Sequence, residues 1–345
     1  MTEETRVGGG CFTWLRRIVL FLVLAIIILL ISGAVYQNQA MASDIENYPP
    51  PGEMIDVGGF EMHLYCEGEG SPTVVFESGL GDSSLTWWTI RETIVQETRT
   101  CVYDRASMGW SDFTNTVPDR NYVVNNLHTL LHNAGEEAPF ILVGHSAGGV
   151  YVREYAQQFP EDVAGLVFVD SSHENQNLRM PEEIAALDSQ PAILRVCQVA
   201  APVGLMRILN VADGIVDDYD GNEDLRNTTL ALYNRTYFCT AILNEFTGFM
   251  PDVEQENPPQ SLGDLPIFVL TQGIGNSPED FPDSISLETI EELNSTWLEL
   301  QAELLALSTN STQLIVEDAG HYIHHDRPDV VINAIQQILE TVREQ

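Results

Sequence analysis

The sequence predicts an α/β fold, in which a mostly parallel, eight-stranded sheet carries helices on both faces. From about residue 73 onward, short apolar runs alternate with longer helix-compatible segments. Parallel strands need such helical crossovers, and the sheet that they form is buried on both sides. The alternation stops between Ser171 and Leu262, where helical stretches (Pro181–Asn210, Glu223–Phe249) predict a helical cap inserted after the sixth strand.

The elements follow in order along the chain. The first two strands, Met54–Val57 and Glu61–Cys66, are joined at Gly58-Gly59, so we expect a hairpin whose second strand runs antiparallel to the rest. The later strands are Thr73–Glu77, Thr100–Tyr103, Phe140–Val143, Gly165–Asp170, Ile267–Thr271 and Gln313–Val316, and the helices between and after them are Leu85–Glu97, Tyr122–Asn133, Ala147–Gln158, Leu287–Leu307 and Asp329–Arg343. Residues 53–170 and 263–345 are therefore assigned to the core and 171–262 to the cap.

The N-terminal segment differs from the rest of the chain. Residues 18–35 contain no charge, and as a helix they would be roughly 27 Å long, close to the ~30 Å hydrocarbon core of a bilayer. Arg16 and Arg17 precede the segment, and the chain beyond it is acidic, so residues 1–17 should stay in the cytoplasm. Residues 36–52, a polar linker ending in three prolines, should be stiff and extended. This predicts a single-pass membrane protein with its main domain outside the cytoplasm.

An alternative is a secreted protein. Ala40-Met41-Ala42 has the small residues of a signal-peptidase site. The apolar stretch is longer than the ~7–15 residues usual in a signal peptide, which favours an uncleaved signal anchor.

The charge of the chain excludes one class of partner. Fifteen basic residues, all Arg, face 51 acidic ones, giving a formal net charge of −36 and a sequence pI near 4.2. Phosphate backbones need a basic face, so a nucleic-acid partner is not expected. The cysteines show no zinc-ligand spacing, and we expect neither a metal nor a cofactor.

One motif indicates nucleophilic catalysis. An apolar strand, Ile141–Val143, leads into Gly144-His145-Ser146-Ala147-Gly148, which matches G-x-S-x-G and is followed by a helix-compatible stretch. In that context the glycines permit a tight strand-to-helix bend that lifts the serine hydroxyl out of the sheet. The helix N-terminus favours the negative charge that develops during attack. Ser146 is therefore the candidate nucleophile.

In these features the chain resembles the α/β-hydrolase superfamily over roughly residues 53–345. It is most similar to serine hydrolases with a D-R-x-G-x-G-x-S motif, which here runs from Asp104 and Arg105 to Ser111, with Ser107 in place of the first glycine. We expect Asp104 and Arg105 to form a buried structural ion pair.

The resemblance implies a base that follows the last strand. His321, in Gly320-His321-Tyr322, stands there, and the order serine, acid, histidine is that of the superfamily. A neutral imidazole takes the serine proton and returns it to the leaving group. His324 and His325 are close in number, but we expect them to face solvent or the cap. His145 should pack beside the nucleophile.

The triad acid has two possible locations in relatives. After the strand that follows the cap, no Asp stands at the near position, and Glu279, Asp280 and Asp283 come late. After the strand that follows the nucleophile, Asp170 stands at the carboxyl end, where sites form in such sheets. We predict Asp170 as the acid and keep the other three as alternatives.

The oxyanion hole is expected to consist of two backbone N–H groups. Ala147, directly after the nucleophile, should supply one. By resemblance to the H-G-x-x motif of the family, Leu80 in Ser78-Gly79-Leu80-Gly81 should supply the other, with a serine where histidine is common.

The fold also bears on the cysteines. Without Cys11, four remain in the exported part, and four allow three pairings. In this fold the second and fourth strands are neighbours, which favours Cys66–Cys101, and Cys197–Cys239 would then join two cap helices. Free thiols would be expected only in a cytosolic protein.

The sequence therefore predicts a serine hydrolase that cleaves a small-molecule carboxylic ester through an acyl-enzyme, with the acyl group bound in an apolar pocket of the cap. A serine nucleophile argues against epoxide-hydrolase or dehalogenase chemistry, where an Asp is usual. The alternatives are an acyltransferase or peptidase with the same acyl-enzyme, and an inactive hydrolase fold used for binding.

Overall fold

The computed structural model describes residues 9–185, 187, 190–216, 219–249 and 260–344. The strands are β1 Glu53–Asp56, β2 Glu61–Glu67, β3 Thr73–Glu77, β4 Thr100–Tyr103, β5 Phe140–His145, β6 Val163–Val169, β7 Ile267–Gln272 and β8 Ser311–Val316. The helices are α1 Gly9–Asn47, α2 Trp88–Ile94, α3 Arg120–Ala134, α4 Ala147–Gln158, α5 Gln176–Arg179, α6 Glu182–Ala185, α7 Gln190–Ala200, α8 Leu205–Ile208, α9 Glu223–Tyr233, α10 Phe238–Phe249, α11 Leu287–Glu303, α12 Ile323–Asp326 and α13 Pro328–Arg343.

The predicted fold class is confirmed. The eight strands form one sheet in the order β1-β2-β4-β3-β5-β6-β7-β8. The pairs β1–β2 and β2–β4 are antiparallel and all later pairs are parallel. The hairpin between β1 and β2 turns at Gly58 and Gly59, whose φ angles of 117° and 108° suit glycine, and Asp56 accepts hydrogen bonds from both N–H groups.

Two apolar cores cover the sheet, one on each face. On one face, residues of α3 and α4 such as Leu127 and Tyr155 pack against the strands. On the other face, Ile90 of α2 and Ile335 of α13 do the same. Fully buried parallel strands of this kind are near-continuous apolar runs, as in β5 and β6.

The N-terminal helix is longer than predicted. Helix α1 runs on to Asn47, so residues 36–47 are helical instead of extended, because nothing before Pro49 breaks the helix. Its stretch Phe12–Asn47 is long and apolar enough to cross a membrane, and none of its most apolar window is buried against the protein. The C-terminal half of α1 contacts the cap. Gln37 donates a hydrogen bond to the Asn234 carbonyl at 2.6 Å, and Asp44 pairs with Arg207 at 2.5 Å.

The cap lies between β6 and β7, as predicted, and its described part is helical, from α5 to α10. The predicted helix Pro181–Asn210 is divided, because Pro202 and Gly204 end the helical run between α7 and α8. Cys197 of α7 is bonded to Cys239 of α10, and Cys66 of β2 to Cys101 of β4, which are the two pairs expected from the sequence.

Candidate active site

The candidate nucleophile occupies a sharp bend. β5 ends at His145 and α4 begins at Ala147, and Ser146 between them has φ 52° and ψ −122°, a backbone conformation that is strained for a residue with a side chain. Its side chain is half-buried. The neighbouring glycines are required by close contacts. A Cβ at Gly144 would lie 2.6 Å from the Gly148 carbonyl oxygen, and one at Gly148 would lie 2.5 Å from the Glu77 carbonyl oxygen.

The candidate base and acid are in contact. Nδ1 of His321 lies 2.6 Å from Oδ2 of Asp170, which is fully buried directly after β6. The other carboxylate oxygen accepts hydrogen bonds from the Gln272 N–H and the Trp297 indole N–H, both at 3.0 Å. These donors fix the carboxylate, so its remaining oxygen can hold the Nδ1–H of His321. Nε2 is then the ring nitrogen left to accept a proton.

His145, the residue directly before Ser146, contacts His321. Nε2 of His145 is 3.0 Å from the backbone carbonyl of His321, and since a carbonyl only accepts, that nitrogen carries the proton. The two rings are 4.7 Å apart. Burial lowers the pKa of His145 well below its usual value, and the nearby imidazoles of His321 and His325 act in the same direction. His145 therefore stays neutral and ties the residue before the bend to the loop of His321.

The two candidate oxyanion donors come from residues that share one apolar cluster. Ala147 is the first residue of α4 and is fully buried. Leu80, half-buried, packs in the apolar cluster that includes Ala147 and Val150. Neither the Leu80 N–H nor the Ala147 N–H donates a hydrogen bond within the described part of the chain. This leaves both N–H groups as candidate donors to an anionic oxygen.

A buried ionic network underlies the loop that contains Leu80. The Arg105 guanidinium donates to the carbonyl oxygens of Ser78 at 2.7 Å and Gly79 at 2.6 Å, and it pairs with Glu77 and Glu245, each at 2.6 Å. Burial alone would lower the pKa of Arg105, but the carboxylates of Glu245 and Glu77 outweigh it and raise that pKa well above its usual value. The network holds both carbonyls in place and so fixes the backbone of the loop.

Asp104 and Arg105 are both buried and structural, but the expectation that they pair with each other is wrong. Asp104 binds His63, with 2.8 Å between its Oδ2 and the imidazole Nδ1, and accepts N–H bonds from Ser84 and Trp110. A Cβ at Gly109 would clash with the Asp104 carboxylate, which explains that glycine of the motif. Ser107, in place of the first glycine, takes φ 72° itself.

The alternative acids lie away from His321. Glu279, Asp280 and Asp283 are exposed, and Asp280 caps its own 3-10 turn by accepting hydrogen bonds from Ser277. Of the described residues, Asp170 is the carboxylate that contacts the His321 ring.

The expectation for His324 is wrong, and that for His325 agrees with the structure. His324 is only 2% exposed and stacks on Trp87, with 4.6 Å between ring centroids, because the helix α12 turns it inward. His325 is half-buried and lies 6.3 Å, ring to ring, from Tyr219 of the cap. Thr86 lies within 2.9 Å of Nε2 of both histidines.

A cavity of about 120 Å³ lies between the cap and the core next to this site. Asp82 and Tyr322 line it and adjoin His145: an Asp82 oxygen is 4.0 Å from Nδ1 of His145, and the Tyr322 ring is 4.8 Å from its imidazole. Among the described residues, neither Ser146 nor His321 lines the cavity. Its wall is more polar and aromatic than the apolar pocket predicted from the cap, since it comprises Asp82, Ser83, Thr86, Ile215, Val216, Tyr219, Thr229, Tyr233 and Tyr322.

Sequence reasoning missed Glu77, Glu245 and Trp297. The signal for the two acids was present, because each is a carboxylate in an otherwise uncharged element: Glu77 ends β3 (TVVFE), and Glu245 lies in α10 (FCTAILNEFTGF). Such buried charges need partners. Nothing in the local pattern around Trp297 indicates its hydrogen bond to Asp170, which depends on how α11 packs.

Comparison with known proteins agrees with this fold. A sequence model of the α/β-hydrolase family matches residues 74–334. The uncharacterized protein YbdG of Bacillus subtilis strain 168 is 28% identical over 161 residues, which is 46% of this chain and 50% of that protein. The match thus spans half the length of that relative.

Solved structures share the fold. They include a thermophilic esterase from Thermogutta terrifontis (TM-score 0.55, 20% identity, 84% of this chain and 98% of that one). A Bacillus megaterium epoxide hydrolase is similar (TM-score 0.56, 16%, 84% and 100%), as is a putative acyltransferase from Salmonella enterica (TM-score 0.59, 18%, 85% and 97%). At these identities the likeness establishes the fold and leaves the reaction open.

Proposed function

Because the chain belongs to the α/β-hydrolase family, we propose that it is a serine hydrolase that cleaves a carboxylic ester through an acyl-enzyme on Ser146. The observation that carries the proposal is the 2.6 Å contact between His321 and the buried Asp170, beside the strained bend of Ser146. Nucleophile, base and orienting acid are the three parts that such a reaction needs.

The acylation step uses each group once. Oγ of Ser146 forms a bond to the acyl carbon while its proton passes to Nε2 of His321. The tetrahedral intermediate then expels the alcohol: its C–O bond breaks, and the proton on His321 moves to the departing oxygen. Asp170 stabilises the imidazolium that exists between these two transfers.

Deacylation repeats the sequence with water. His321 takes a proton from the water as its oxygen bonds to the acyl carbon, and Ser146 leaves with that proton. In both steps the Leu80 and Ala147 N–H groups bind the oxyanion, and each donor of this kind lowers the barrier by about 3 kcal/mol in other hydrolases. Fixing the loop through Arg105 keeps the Leu80 donor in place before the substrate arrives.

A second candidate is acyl transfer to an alcohol, the class of reaction named for one protein of similar fold, the putative acyltransferase of Salmonella enterica. The acyl-enzyme is common to both reactions, and only the acceptor differs. Epoxide hydrolysis is less well supported in spite of a similar structure, because it usually relies on an Asp at the position that Ser146 holds here.

We propose further that α1 anchors the enzyme in the membrane, with the hydrolase domain outside the cytoplasm. Support comes from the apolar stretch of α1, its exposed surface, and the arginines that precede it. The two disulfide bonds fit an oxidising compartment.

The test is hydrolysis of p-nitrophenyl butyrate by the full chain in detergent, with added alcohols as competing acceptors. We expect turnover that Ser146→Ala abolishes and that Ser295→Ala, a change on the outer face of α11, leaves intact. An ester product formed with the added alcohol, in place of the free acid, would favour the transferase. Absence of turnover on a panel of esters would contradict the proposal.

A further inference from the structure

The cap has an exposed apolar surface on α7, on α8 and in the turns that follow. Its members are each 40–77% exposed, and they are Ile193, Val196, Val199, Leu205, Ile208, Leu209, Val211 and Ile215; we name this set the cap face. On α7 its members recur every three residues, at positions 193, 196 and 199, and so follow one exposed side of the helix. Large exposed apolar surfaces of this kind mark an interaction site.

Helix α1 fixes where this surface lies. Gly33 packs directly against the backbone of Val203, since a Cβ there would lie 2.3 Å from the Val203 carbonyl oxygen. Gly33 is inside the uncharged segment that ends at Val35, two residues or ~3 Å along the helix from its end. Val203 lies between α7 and α8. If residues 18–35 span a bilayer, the middle of the cap face is at the level where the helix leaves it.

The segment that carries most of the cap face also differs in charge from the rest of the chain. From residue 189 to residue 212 there is no Asp or Glu, although 51 of the 345 residues are acidic. The segment contains two arginines. Arg207 pairs with Asp44 of α1, and Arg195 is exposed on α7 among the apolar side chains. An apolar face with an arginine at its border, and without carboxylates, suits the headgroup and acyl boundary of an anionic membrane.

We propose that the cap face rests on the lipid bilayer next to α1 and that the enzyme takes its acyl substrate from that leaflet. The second part depends on the proposed function. Ile215 connects the cap face with the candidate active site. It belongs to the cap face, and it also lines the cavity that reaches Tyr322 and Asp82 beside the site. An acyl ester dissolved in the membrane would enter this cavity past Ile215 and come next to Asp82 and Tyr322, which adjoin His145.

Contact between the cap face and lipid can be measured without an activity assay. In a Cys11→Ser background, an environment-sensitive fluorophore is attached at Val196→Cys in the full chain, reconstituted in nanodiscs of phosphatidylcholine with a minor share of phosphatidylglycerol. The control is Leu314→Cys, an exposed apolar position on β8, at the sheet edge opposite β1, to which α1 leads. We expect doxyl-labelled lipid to quench the fluorophore at position 196 and not at position 314, and iodide in the water to do the reverse.

Two results would overturn the proposal. Lipid quenching at position 196 no stronger than at position 314, together with iodide quenching at both, would show that the cap face lies in water and does not touch the bilayer. Protection of position 196 from lipid and iodide alike would indicate a protein partner, such as a second copy of the chain, instead of lipid.

A second measurement concerns the substrate and separates the two proposals. We expect Val196→Glu to lower turnover of a membrane-dissolved ester relative to p-nitrophenyl butyrate by about ten-fold or more, because a carboxylate is costly at an apolar and anionic interface. Leu314→Glu should leave that ratio unchanged. An unchanged ratio for Val196→Glu would contradict uptake from the leaflet, whereas a wild-type chain inactive on every ester would contradict the proposed function and leave the quenching result standing.

Discussion

Glu245, in the cap helix α10, accepts a hydrogen bond from the backbone N–H of Gly81 in the core, with 2.9 Å between nitrogen and oxygen. The neighbouring residue, Leu80, is the proposed oxyanion donor. The other carboxylate oxygen of Glu245 lies 2.6 Å from Nε of Arg105, which binds the same loop from below. A residue of the cap therefore helps to shape a loop of the candidate active site, and the position of the cap is linked to the geometry of that loop.

The first prediction concerns this link. Glu245→Gln keeps the size of the side chain but removes one of the charges that neutralise Arg105. We expect kcat to fall about ten- to hundred-fold with little change in KM, because a displaced oxyanion donor weakens binding of the transition state more than of the ester.

The control is Glu223→Gln, an exposed acid in the first turn of the cap helix α9. Thermal unfolding of both variants separates a local effect from loss of fold. A Glu245→Gln variant with wild-type kcat would show that the loop keeps its shape without the cap carboxylate.

The second prediction identifies the triad acid. Asp170→Asn retains an acceptor but cannot stabilise the imidazolium, and it favours the wrong tautomer of His321. We expect a fall in kcat of about 10⁴-fold, as for the same change in a serine protease. Asp280→Asn serves as the matched control, since Asp280 caps a surface turn. Loss of activity in the control, with activity kept in Asp170→Asn, would reverse the assignment.

The third prediction concerns pH and stability. Burial lowers the pKa of His145 and of His324 well below that of an unfolded histidine. Below about pH 6.5 the unfolded chain therefore binds protons that the folded chain does not, and each histidine should reduce the free energy of unfolding by up to about 1.4 kcal/mol per pH unit as the pH falls. Above pH 6.5 this contribution is constant.

Urea unfolding of the full chain in detergent at several pH values measures that slope. The carboxylates of the chain also titrate at low pH, so the informative quantity is the difference from a variant. The slope of the unfolding free energy against pH gives the number of protons taken up on unfolding. Between pH 6.5 and 5, His324→Gln should reduce that number by about one. An identical slope in this variant would mean that His324 is protonated in the folded state.

The fourth prediction concerns the disulfide bonds. Cys66–Cys101 closes a loop of 35 residues, and its loss should cost about 4 kcal/mol by the chain-entropy relation. Comparison of wild type with C66A/C101A by thermal unfolding measures this cost. Peptide mapping without reductant should recover the pairs Cys66–Cys101 and Cys197–Cys239, and other pairs or free thiols would contradict the structure.

Most of the fold follows from local patterns. The parallel strands are apolar runs with helices between them, and β3, β4 and α4 have the bounds that the sequence predicts. Glycines in fixed places make the Ser146 bend recognisable without coordinates. The continuation of α1 to Asn47 was missed because a polar segment carries little apolar periodicity, and contact with the cap stabilises it.

The residues of the candidate site also fall into those that local patterns predict and those that depend on packing. Ser146 and His321 stand at positions that the order of elements determines. For the acid, the sequence left two strand ends to choose between, and we chose Asp170, at the end of β6. Its contact with His321 in the structure supports that choice. The inward turn of His324 and the link from Glu245 to Gly81 depend on packing between residues more than 100 positions apart, and no local pattern contains that information.

Labelling with a fluorophosphonate probe tests the central claim most directly, because the probe reacts only with a serine that a neighbouring base has activated. We expect one adduct, on Ser146, in the full chain, and none in Ser146→Ala; His321→Ala should slow the labelling strongly. A wild-type chain that stays unlabelled, or an adduct that persists in Ser146→Ala, would contradict the account.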